Sequence, residues 1–467
     1  MPRSSDFYES LPTNEHSDAR IRIRRPPWTG RFIRPLECRP NFSLSLAAIL
    51  FFGAVLLFTV DLTRLRGTDV LSDAHATLFS HFWPVGLPNR TDSWENENSK
   101  TMRALFTCTA EGSCKENQTS VVLMSSSHFK NSIAGKVSGE DIWAMSVIIA
   151  LRELGYSAIF APDNYELART YRQYPDLVKV VILEGSSAKE CFKSSECVKK
   201  PNHPLGIPAW KMLSFHFWTG SSHPLGNQWT LSPENYGILS PGNSINNTYL
   251  GYSIERTCMR RPVTPIAKRP NQVYILAKRL SYFREKGYSW PDISFDQAPF
   301  PLQFVAGLTH DVEPDEVPGG IIDVGRLNQT QFYDHLGNSR LLLGIGRPPL
   351  SPSPYDALCL AVPFINPVEN WDHDQPDNRT RWWTQHDGLK FLDPPYVYNV
   401  KKNDVEGFWK AIRMALDTPI ERYIVPEMTM GSLKYRLGNI IERDWRGMAL
   451  GLLEERKASG NGELFEI

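Results

Sequence analysis

Short apolar runs alternate with amphipathic stretches along most of the chain beyond residue 120. The first elements predicted from this pattern are strands at 121–124, 157–160 and 178–183, with helices at 142–154 and 164–174 between them. Because strands that alternate with helices form parallel sheets, we expect an α/β domain over residues 105–262.

A second set of alternating elements follows. Its members are strands at 273–276, 304–306, 321–324, 341–343 and 362–365 and helices at 328–336, 404–416 and 431–456. They predict a second domain over residues 263–430, then a C-terminal helix and tail over 431–467. The expected fold class is α/β, with two doubly wound, Rossmann-like domains in tandem. Their facing carboxyl edges would form a cleft, with the last helix packing back across it.

The middle of the chain, residues 201–249, is rich in aromatic and turn-forming residues. Flat rings such as those of Trp218 and Trp229 can cover the apolar face of a sugar, which makes both residues candidates for acceptor binding. Aromatic side chains are most often part of a core, and the sequence leaves both interpretations open.

One long uncharged apolar run, residues 42–60, precedes both domains. At about 1.5 Å per residue it reaches roughly 28 Å, enough to span a bilayer. Seven arginines lie between residues 20 and 39, whereas only Arg64 and Arg66 follow closely. The positive-inside rule therefore predicts a type II signal anchor, with a cytosolic tail at 1–41 and a luminal stem at 61–104. A cleaved signal peptide is the alternative.

Sequons support a luminal location for the rest of the chain. Five Asn-X-Thr sequons follow the apolar run: Asn89, Asn117, Asn246, Asn328 and Asn378. A secreted or luminal segment can carry glycans at such sites.

Six of the seven cysteines also follow the apolar run, and an oxidising compartment favours their pairing. Cys108 with Cys114 and Cys191 with Cys197 would close natural local loops. Six cysteines nevertheless allow fifteen connectivities.

Overall charge and metal motifs narrow the classes of function. Lysine plus arginine equals aspartate plus glutamate, at 51 each, which gives no electrostatic reason to expect a nucleic-acid partner. The segment Asp372-His373-Asp374 has the Asp-X-Asp form of a metal site but lies in a loop beyond Pro367 rather than at the end of a strand. We therefore expect neither nucleic acid nor a bound metal.

The stretch 340–367 combines a short apolar strand, a loop rich in glycine and proline, a helix start and a second apolar strand. Gly344 and Gly346 allow a sharp turn at the carboxyl end of the first strand, where open α/β sheets bind ligands. Asp356, with Pro354 before it, falls near the helix start, where it could accept sugar hydroxyls while neighbouring N–H groups face phosphate. An ordinary strand-to-helix turn capped by Asp356 fits the same pattern.

Glu140 lies in Ser138-Gly139-Glu140-Asp141, just before the helix predicted at 142–154. A carboxylate there would face the cleft and could take a proton from a substrate hydroxyl. A helix N-terminus lowers the pKa of a carboxyl group, and with it the basicity, so capping of the first turn is the alternative.

Four basic residues are candidates for contacts with donor phosphates. Arg379, Arg381 and His386 follow the second apolar strand, and Lys278 ends the strand predicted at 273–276. An arginine fork matches the geometry of a diphosphate. Exposed surface charge is the simpler interpretation of the same residues.

These segments resemble glycosyltransferase family 18, the mannosylglycoprotein N-acetylglucosaminyltransferases. LLLGIGRPPLSPSPYDALCLAVPFINP, followed by WTQHDGLKFLDPPYV, has the order of the family's Gly-X-Gly-X-Pro, Pro-X-Glu-Ala, Phe-X-Asn-Pro and Gln-His motifs. GNQWTLSPENYG with NNTYLGYSIE, which ends at Glu255, and SGEDIWAMSVIIALRELGY are also similar. The resemblance runs from about residue 121 to 445.

The resemblance implies a Golgi type II enzyme of the GT-B fold that works without a metal. It would transfer N-acetylglucosamine from UDP-GlcNAc, with inversion and in β-1,6 linkage, to mannose of glycoprotein N-glycans. Glu140 falls on the family's catalytic base, Asp356 falls on its donor-binding Glu, and Glu255 joins the acceptor candidates. The family's Tyr-Glu-Gly is Pro349-Leu350-Ser351 here. The alternatives are an enzyme of the same fold that transfers a different nucleotide sugar to another glycan, and a catalytically inactive Golgi glycan-binding protein.

Overall fold

The computed structural model describes residues 93–136, 138–239 and 247–467. The predicted signal anchor at 42–60, the cytosolic tail and most of the predicted stem lie outside these residues. Within the described part of the chain, no helix is both long enough and apolar enough to cross a membrane.

The first sheet consists of six parallel strands. Strands β1 to β6 are Val121–Ser125, Ser157–Phe160, Val178–Glu184, Met212–Phe215, Thr230–Ser232 and Thr248–Tyr249. Helices α1 to α7 are Trp94–Glu111, Ser127–Ile133, Ile142–Leu154, Asn164–Gln173, Gly185–Lys193, Tyr236–Leu239 and Glu255–Met259. The strand order is β2-β1-β3-β4-β5-β6, and every pairing is parallel. The predicted strands are confirmed, whereas β4, β5 and β6 were not predicted.

The second sheet is parallel except at one edge. Strands β7 to β13 are Gln272–Ile275, Gln303–Ala306, Ile321–Asp323, Leu341–Leu343, Phe364–Asn370, Trp383–Thr384 and Val397–Lys401. Helices α8 to α12 are Gln329–Asn338, Ser353–Cys359, Val405–Asp417, Met430–Ile441 and Trp445–Ser459. The order is β12-β11-β10-β7-β8-β9, with β13 paired to β11, and only β12 runs antiparallel. We call the parts built on the two sheets, residues 93–262 and 263–429, the first and second lobes.

The central strands are buried on both faces, which explains their continuous apolar sequences. All five residues of β1 are buried, as are all three of β10. The second lobe has a contiguous core between β7, β8, β10 and α10, with Trp290, Phe304 and Phe408 among its buried rings. The rigid sheets fix the loops at their carboxyl edges.

The predicted stem at 61–104 extends too far towards the C-terminus. Helix α1 begins at Trp94, and its Met102 and Leu105 are buried. The Asn98 side chain also bonds both backbone groups of Phe160, at 2.7 and 2.9 Å. Residues 94–104 therefore belong to the first lobe. Their polar composition concealed the two apolar positions that anchor the helix.

The C-terminal helices return to the first lobe. Helix α11 packs against α3, and the Arg436 side chain on α11 donates to the Leu250 carbonyl at 2.7 Å. The single helix predicted at 431–456 is wrong, because the chain breaks after Ile441 and starts α12 with Asp444 as its cap. The Asp444 side chain accepts a hydrogen bond from the Gly447 N–H at 2.8 Å.

Three disulfides join the six cysteines of the described residues. The pairs Cys108–Cys114 and Cys191–Cys197 confirm the two local loops. The third pair, Cys258–Cys359, connects α7 of the first lobe with α9 of the second. It fixes the lobes to each other near their junction.

Candidate functional site

The loop between β10 and α9, residues 344–352, is packed too tightly for side chains at its two glycines. A Cβ on Gly344 would lie 2.4 Å from the Gln385 side-chain oxygen, and Gly346 has a φ of 93°. A Cβ on Gly346 would also meet the Gly287 carbonyl oxygen at 2.0 Å. Only glycine fits both positions.

The N–H groups of these glycines are already used inside the protein. Gly344 donates to the Ile365 carbonyl at 2.9 Å, and Gly346 donates to the Gln385 side chain at 2.9 Å. The Gln385 amide group in turn donates to the Pro348 carbonyl at 3.2 Å. Gly344 and Gly346 therefore shape the loop rather than offer N–H donors to a phosphate. The sequence prediction missed Gln385, although it directly precedes His386.

Asp356 lies on α9, after the buried Pro354, and faces the interior. Its side chain accepts a hydrogen bond from the Tyr333 hydroxyl at 3.1 Å, and the residue is only 4% exposed. Burial raises the pKa of Asp356 to about 7. This geometry corrects the expectation of a carboxylate open to sugar hydroxyls at the helix start, because Tyr333 occupies it.

His386 is buried with neither ring nitrogen hydrogen-bonded. Its ring lies edge-on to Tyr355, with ring centres 4.8 Å apart. Burial lowers the pKa of His386 to about 3, although the backbone of Ser351 lies close enough to oppose this effect. A buried polar atom without a partner is costly. The ring is fully enclosed, so neither nitrogen is open to a ligand in this structure, and a donor-binding role for His386 stays a prediction.

Glu234 connects the two lobes and was not among the predicted site residues. It follows β5 in the first lobe, is buried, and accepts hydrogen bonds from the Tyr355 hydroxyl at 3.1 and 3.2 Å. Burial raises the pKa of Glu234 to about 8. Only the tertiary structure could have identified this pair, since its members are 121 residues apart.

Glu140 lies on an exposed turn that touches the second lobe. A Cβ on Gly139 would be 3.8 Å from Cδ of Pro352, in the 344–352 loop. The neighbouring Asp141 anchors this turn, because its carboxylate accepts from the Ser138 N–H at 2.8 Å and contacts His128 at 2.7 Å. The structure thus brings the Glu140 turn beside the 344–352 loop.

The predicted phosphate-binding cations differ in position and in ion pairing. Lys278 is exposed just beyond the carboxyl end of β7, a strand that pairs with β10. Arg379 donates to Asp393 at 2.6 Å, and Arg381 forms an ion pair with Asp372. Only Lys278 therefore lies on a strand end next to the 344–352 loop, and a phosphate role for the two arginines stays a prediction.

The first carboxylate of the Asp-X-Asp segment makes contacts within the protein. Asp372, from the Asp-X-Asp segment, accepts from the Asp374 N–H at 2.9 Å as well as pairing with Arg381. In the described part of the chain, no three His, Cys, Asp or Glu side chains are grouped so that they could hold a metal ion.

The three acceptor candidates differ in burial and in their contacts. Trp229 is buried, donates to the Trp210 carbonyl at 3.2 Å and lies 5.6 Å from the Trp445 ring of α12. Glu255 accepts from the Met430 N–H at 2.7 Å, at the start of α11. The acceptor assignment of Trp229 is therefore wrong, because its ring is part of the packed core. Glu255 is half-buried and uses one oxygen as a cap, so its acceptor role stays a prediction. Trp218 is half-buried, and its role stays a prediction.

The two lobes carry parallel sheets, and the acidic turn at Glu140 of the first lobe lies against the glycine and proline loop at 344–352 of the second. A sequence model described as glycosyltransferase family 18 matches residues 174–446, more than half of the 467 residues. The chain belongs to glycosyltransferase family 18. The match includes the whole second lobe, whereas Glu140 lies before it.

Several mammalian proteins are similar to this chain. Alpha-1,6-mannosylglycoprotein 6-beta-N-acetylglucosaminyltransferase A is 25% identical over 235 residues in Homo sapiens, covering 48% of this chain and 31% of that protein. The Cricetulus griseus form is 24% identical over 247 residues, 50% and 32% of the two chains. The B enzyme of Mus musculus is 22% identical over 235 residues, 46% and 28%. The matched region spans under a third of these relatives.

Solved structures give weaker similarities. The glycotransferase of kitacinnamycin has a TM-score of 0.32 and 11% identity, covering 72% of this chain and 98% of that one. The glycosyltransferase SnogD from Streptomyces nogalater has a TM-score of 0.33 and 12% identity, covering 69% and 99%.

Proposed function

We propose that the protein is an inverting glycosyltransferase that transfers N-acetylglucosamine from UDP-GlcNAc, in β-1,6 linkage, to mannose of glycoprotein N-glycans. Its family and the names of its mammalian relatives support this proposal. The observation that carries it is the approach of Gly139 to Pro352. This approach brings the turn that carries the exposed Glu140 carboxylate beside the 344–352 loop of the other lobe, as we expect for an enzyme of the GT-B fold.

In this proposal Glu140 acts as the general base. Its carboxylate takes the proton of the mannose 6-hydroxyl as the hydroxyl oxygen attacks the anomeric carbon of N-acetylglucosamine. The bond from that carbon to the UDP oxygen breaks, and UDP leaves with the electron pair. Attack from the opposite face inverts the configuration in one step, without a covalent enzyme intermediate.

The second lobe would hold the nucleotide sugar. Gly344 and Gly346 shape the loop that we assign to it, Pro354 lies in the first turn of the helix that follows, and the buried His386 packs against Tyr355 of the same helix. Lys278, exposed at the same sheet edge, is the cation that we assign to the departing diphosphate.

We further propose that transfer requires no metal ion and takes place in the Golgi lumen, with residues 42–60 as a type II anchor. Equal activity in EDTA and in excess Mg²⁺ or Mn²⁺ is the expected result. The luminal location predicts a mass shift on endoglycosidase treatment, which substitution of the exposed Asn328 reduces.

A second candidate function keeps the fold and changes the donor sugar. The observation that favours it is Asp356, whose shorter carboxylate is buried against Tyr333 where the family pattern has a longer Glu. A loop with Pro349-Leu350-Ser351 in place of the family's Tyr-Glu-Gly also changes the walls of the donor site. Calorimetric titration with UDP-GlcNAc, UDP-glucose and GDP-mannose separates the two candidates.

The decisive experiment measures transfer from UDP-GlcNAc to a biantennary glycan by the wild type and by Glu140→Gln. Loss of the base should lower kcat by about 10²-fold or more while UDP binding is retained. Glu196→Gln removes another exposed carboxylate of the first lobe and should leave the rate unchanged. Full activity of Glu140→Gln would remove Glu140 from its role. Binding without transfer by the wild type, for every donor, would instead favour an inactive glycan-binding protein.

A further inference from the structure

A cavity of about 420 Å³ opens at the carboxyl ends of β1, β2 and β3 in the first lobe. Residues from the segment after each of these strands line it. Those used below are Ser126, Ser127, Asn164, Tyr165, Glu184 and Glu190. A volume of this size holds one or two sugar rings, and the carboxyl edge of a parallel sheet is where such folds bind ligands.

The charges around this cavity disfavour an anion. Asp163, Glu184 and Glu190 belong to its lining, whereas none of its ten lining residues is Lys or Arg. The N-termini of α2 and α4, which would otherwise attract phosphate, are already capped by carboxylates. Glu184 accepts from the N–H and hydroxyl of Ser127 at 3.0 and 2.7 Å, and Asp163 accepts from the Glu166 N–H at 2.9 Å. The cavity therefore suits a ligand that carries no negative charge and donates hydrogen bonds, as a neutral sugar does.

The remaining walls match a sugar. Tyr165 is 65% exposed, so its ring offers a flat apolar face on which the C–H face of a pyranose can lie. The Asn164 amide group donates to the Ser187 carbonyl at 3.1 Å, while its side-chain oxygen has no hydrogen-bond partner. Serine hydroxyls, amides and carboxylates together give the mixed acceptors and donors that sugar hydroxyls need.

The cavity is directly connected with the Glu140 turn. Ser127, in the cavity wall, is followed by His128, which contacts Asp141 at 2.7 Å. Asp141 is the neighbour of Glu140. The first turn of α2 thus lines the cavity with Ser127 and contacts, through His128, the residue that follows the proposed base.

From these observations we infer that the cavity is a subsite for a neutral sugar of the acceptor glycan, remote from the hydroxyl that reacts. This inference rests on the proposed transferase function. Tyr165 and Glu190 would then contact a sugar that is present in the whole glycan. An acceptor that consists of a single mannose would not reach these two side chains.

Steady-state kinetics of the full chain test the subsite with two acceptors, a biantennary N-glycan and methyl mannoside. Tyr165→Ala and Glu190→Gln should each raise KM for the glycan about fivefold with kcat unchanged, and should leave KM for methyl mannoside unchanged. Both side chains are exposed, so the variants should fold normally. The matched control is Tyr435→Ala, which removes a tyrosine that is 74% exposed on α11.

Saturation-transfer NMR with the biantennary glycan distinguishes failure of the subsite from failure of the proposed function. A glycan signal in the wild type that is weakened in Tyr165→Ala, but not in Tyr435→Ala, supports the subsite even if no donor sugar is transferred. Unchanged glycan binding and unchanged KM in both cavity variants would overturn it. Displacement of the glycan by inorganic phosphate at the cavity would also overturn it.

Discussion

Replacing Glu234 by glutamine tests the buried contact between the two lobes. Glu234 is 4% exposed, and the single Tyr355 hydroxyl lies within hydrogen-bond distance of both its carboxyl oxygens, at 3.1 and 3.2 Å. Burial raises the pKa of Glu234 from 4.5 to about 8. The charges of Asp387 and Glu427 add to this rise, whereas the Tyr355 hydrogen bonds and the charge of Arg436 oppose it.

The sign of the effect follows from proton binding. Between the unfolded pKa of 4.5 and the folded value of about 8, the folded protein keeps a proton that the unfolded chain has lost. Stability due to this group is fully present below the unfolded pKa and is lost as the pH rises through the folded pKa, at about 1.4 kcal/mol per pH unit. Over the whole interval the loss is roughly 5 kcal/mol. Glutamine keeps the shape and has no proton to lose.

Thermal unfolding of the wild type and of Glu234→Gln between pH 5 and pH 8.5 measures this difference. The variant should gain in Tm relative to the wild type as the pH rises, with the largest gap at the alkaline end. Asp356 titrates in both proteins, so its contribution cancels in the difference between their Tm values. Glu427→Gln removes an exposed carboxylate near the same cluster. Its Tm should change with pH nearly as the Tm of the wild type does. Parallel curves for all three proteins would refute the reasoning.

Two further predictions concern the contacts that hold the lobes and the C-terminal helices. Glu255→Ala should cost about 1–2 kcal/mol of stability, because it removes the acceptor for the Met430 N–H; a rise in acceptor KM at unchanged Tm would instead support its acceptor role. Cys258→Ser with Cys359→Ser opens a link across 101 residues and should cost about 4 kcal/mol. Unfolding curves with and without reductant check this loss, and equal Tm values for variant and wild type would contradict it.

Much of the fold was predictable because its elements carry local signals. The helix predicted at 142–154 coincides with α3, and the strand predicted at 341–343 coincides with β10. Each has an apolar run of the right length with a turn residue beside it. Strands β5 and β6 have three and two residues. Such short strands carry no periodicity of their own and exist because a neighbouring strand pairs with them.

The candidate site was predictable in part for the same reason. Gly344 and Gly346 belong to one short loop whose need for glycine can be read from the chain, whereas His386 lies in a separate segment after β12. The roles of Trp229 and Glu255 could not be read in this way. An aromatic ring serves a core as well as a sugar, and a carboxylate caps a helix as well as it binds a hydroxyl. The choice between those uses depends on what packs against the side chain.

The sequence by itself determined the central strands and helices, such as β1, β10 and α3, together with the glycine positions and the family resemblance, since these depend on residues close together in the chain. Only the tertiary structure decided that Glu234 meets Tyr355, that Asp356 is buried against Tyr333 and that the Glu140 turn touches the 344–352 loop. The physical reason is that burial and hydrogen-bond partners are set by packing between distant segments. The role of a polar side chain is fixed only when a hydrogen-bond partner from another segment takes the place of the water molecules around it.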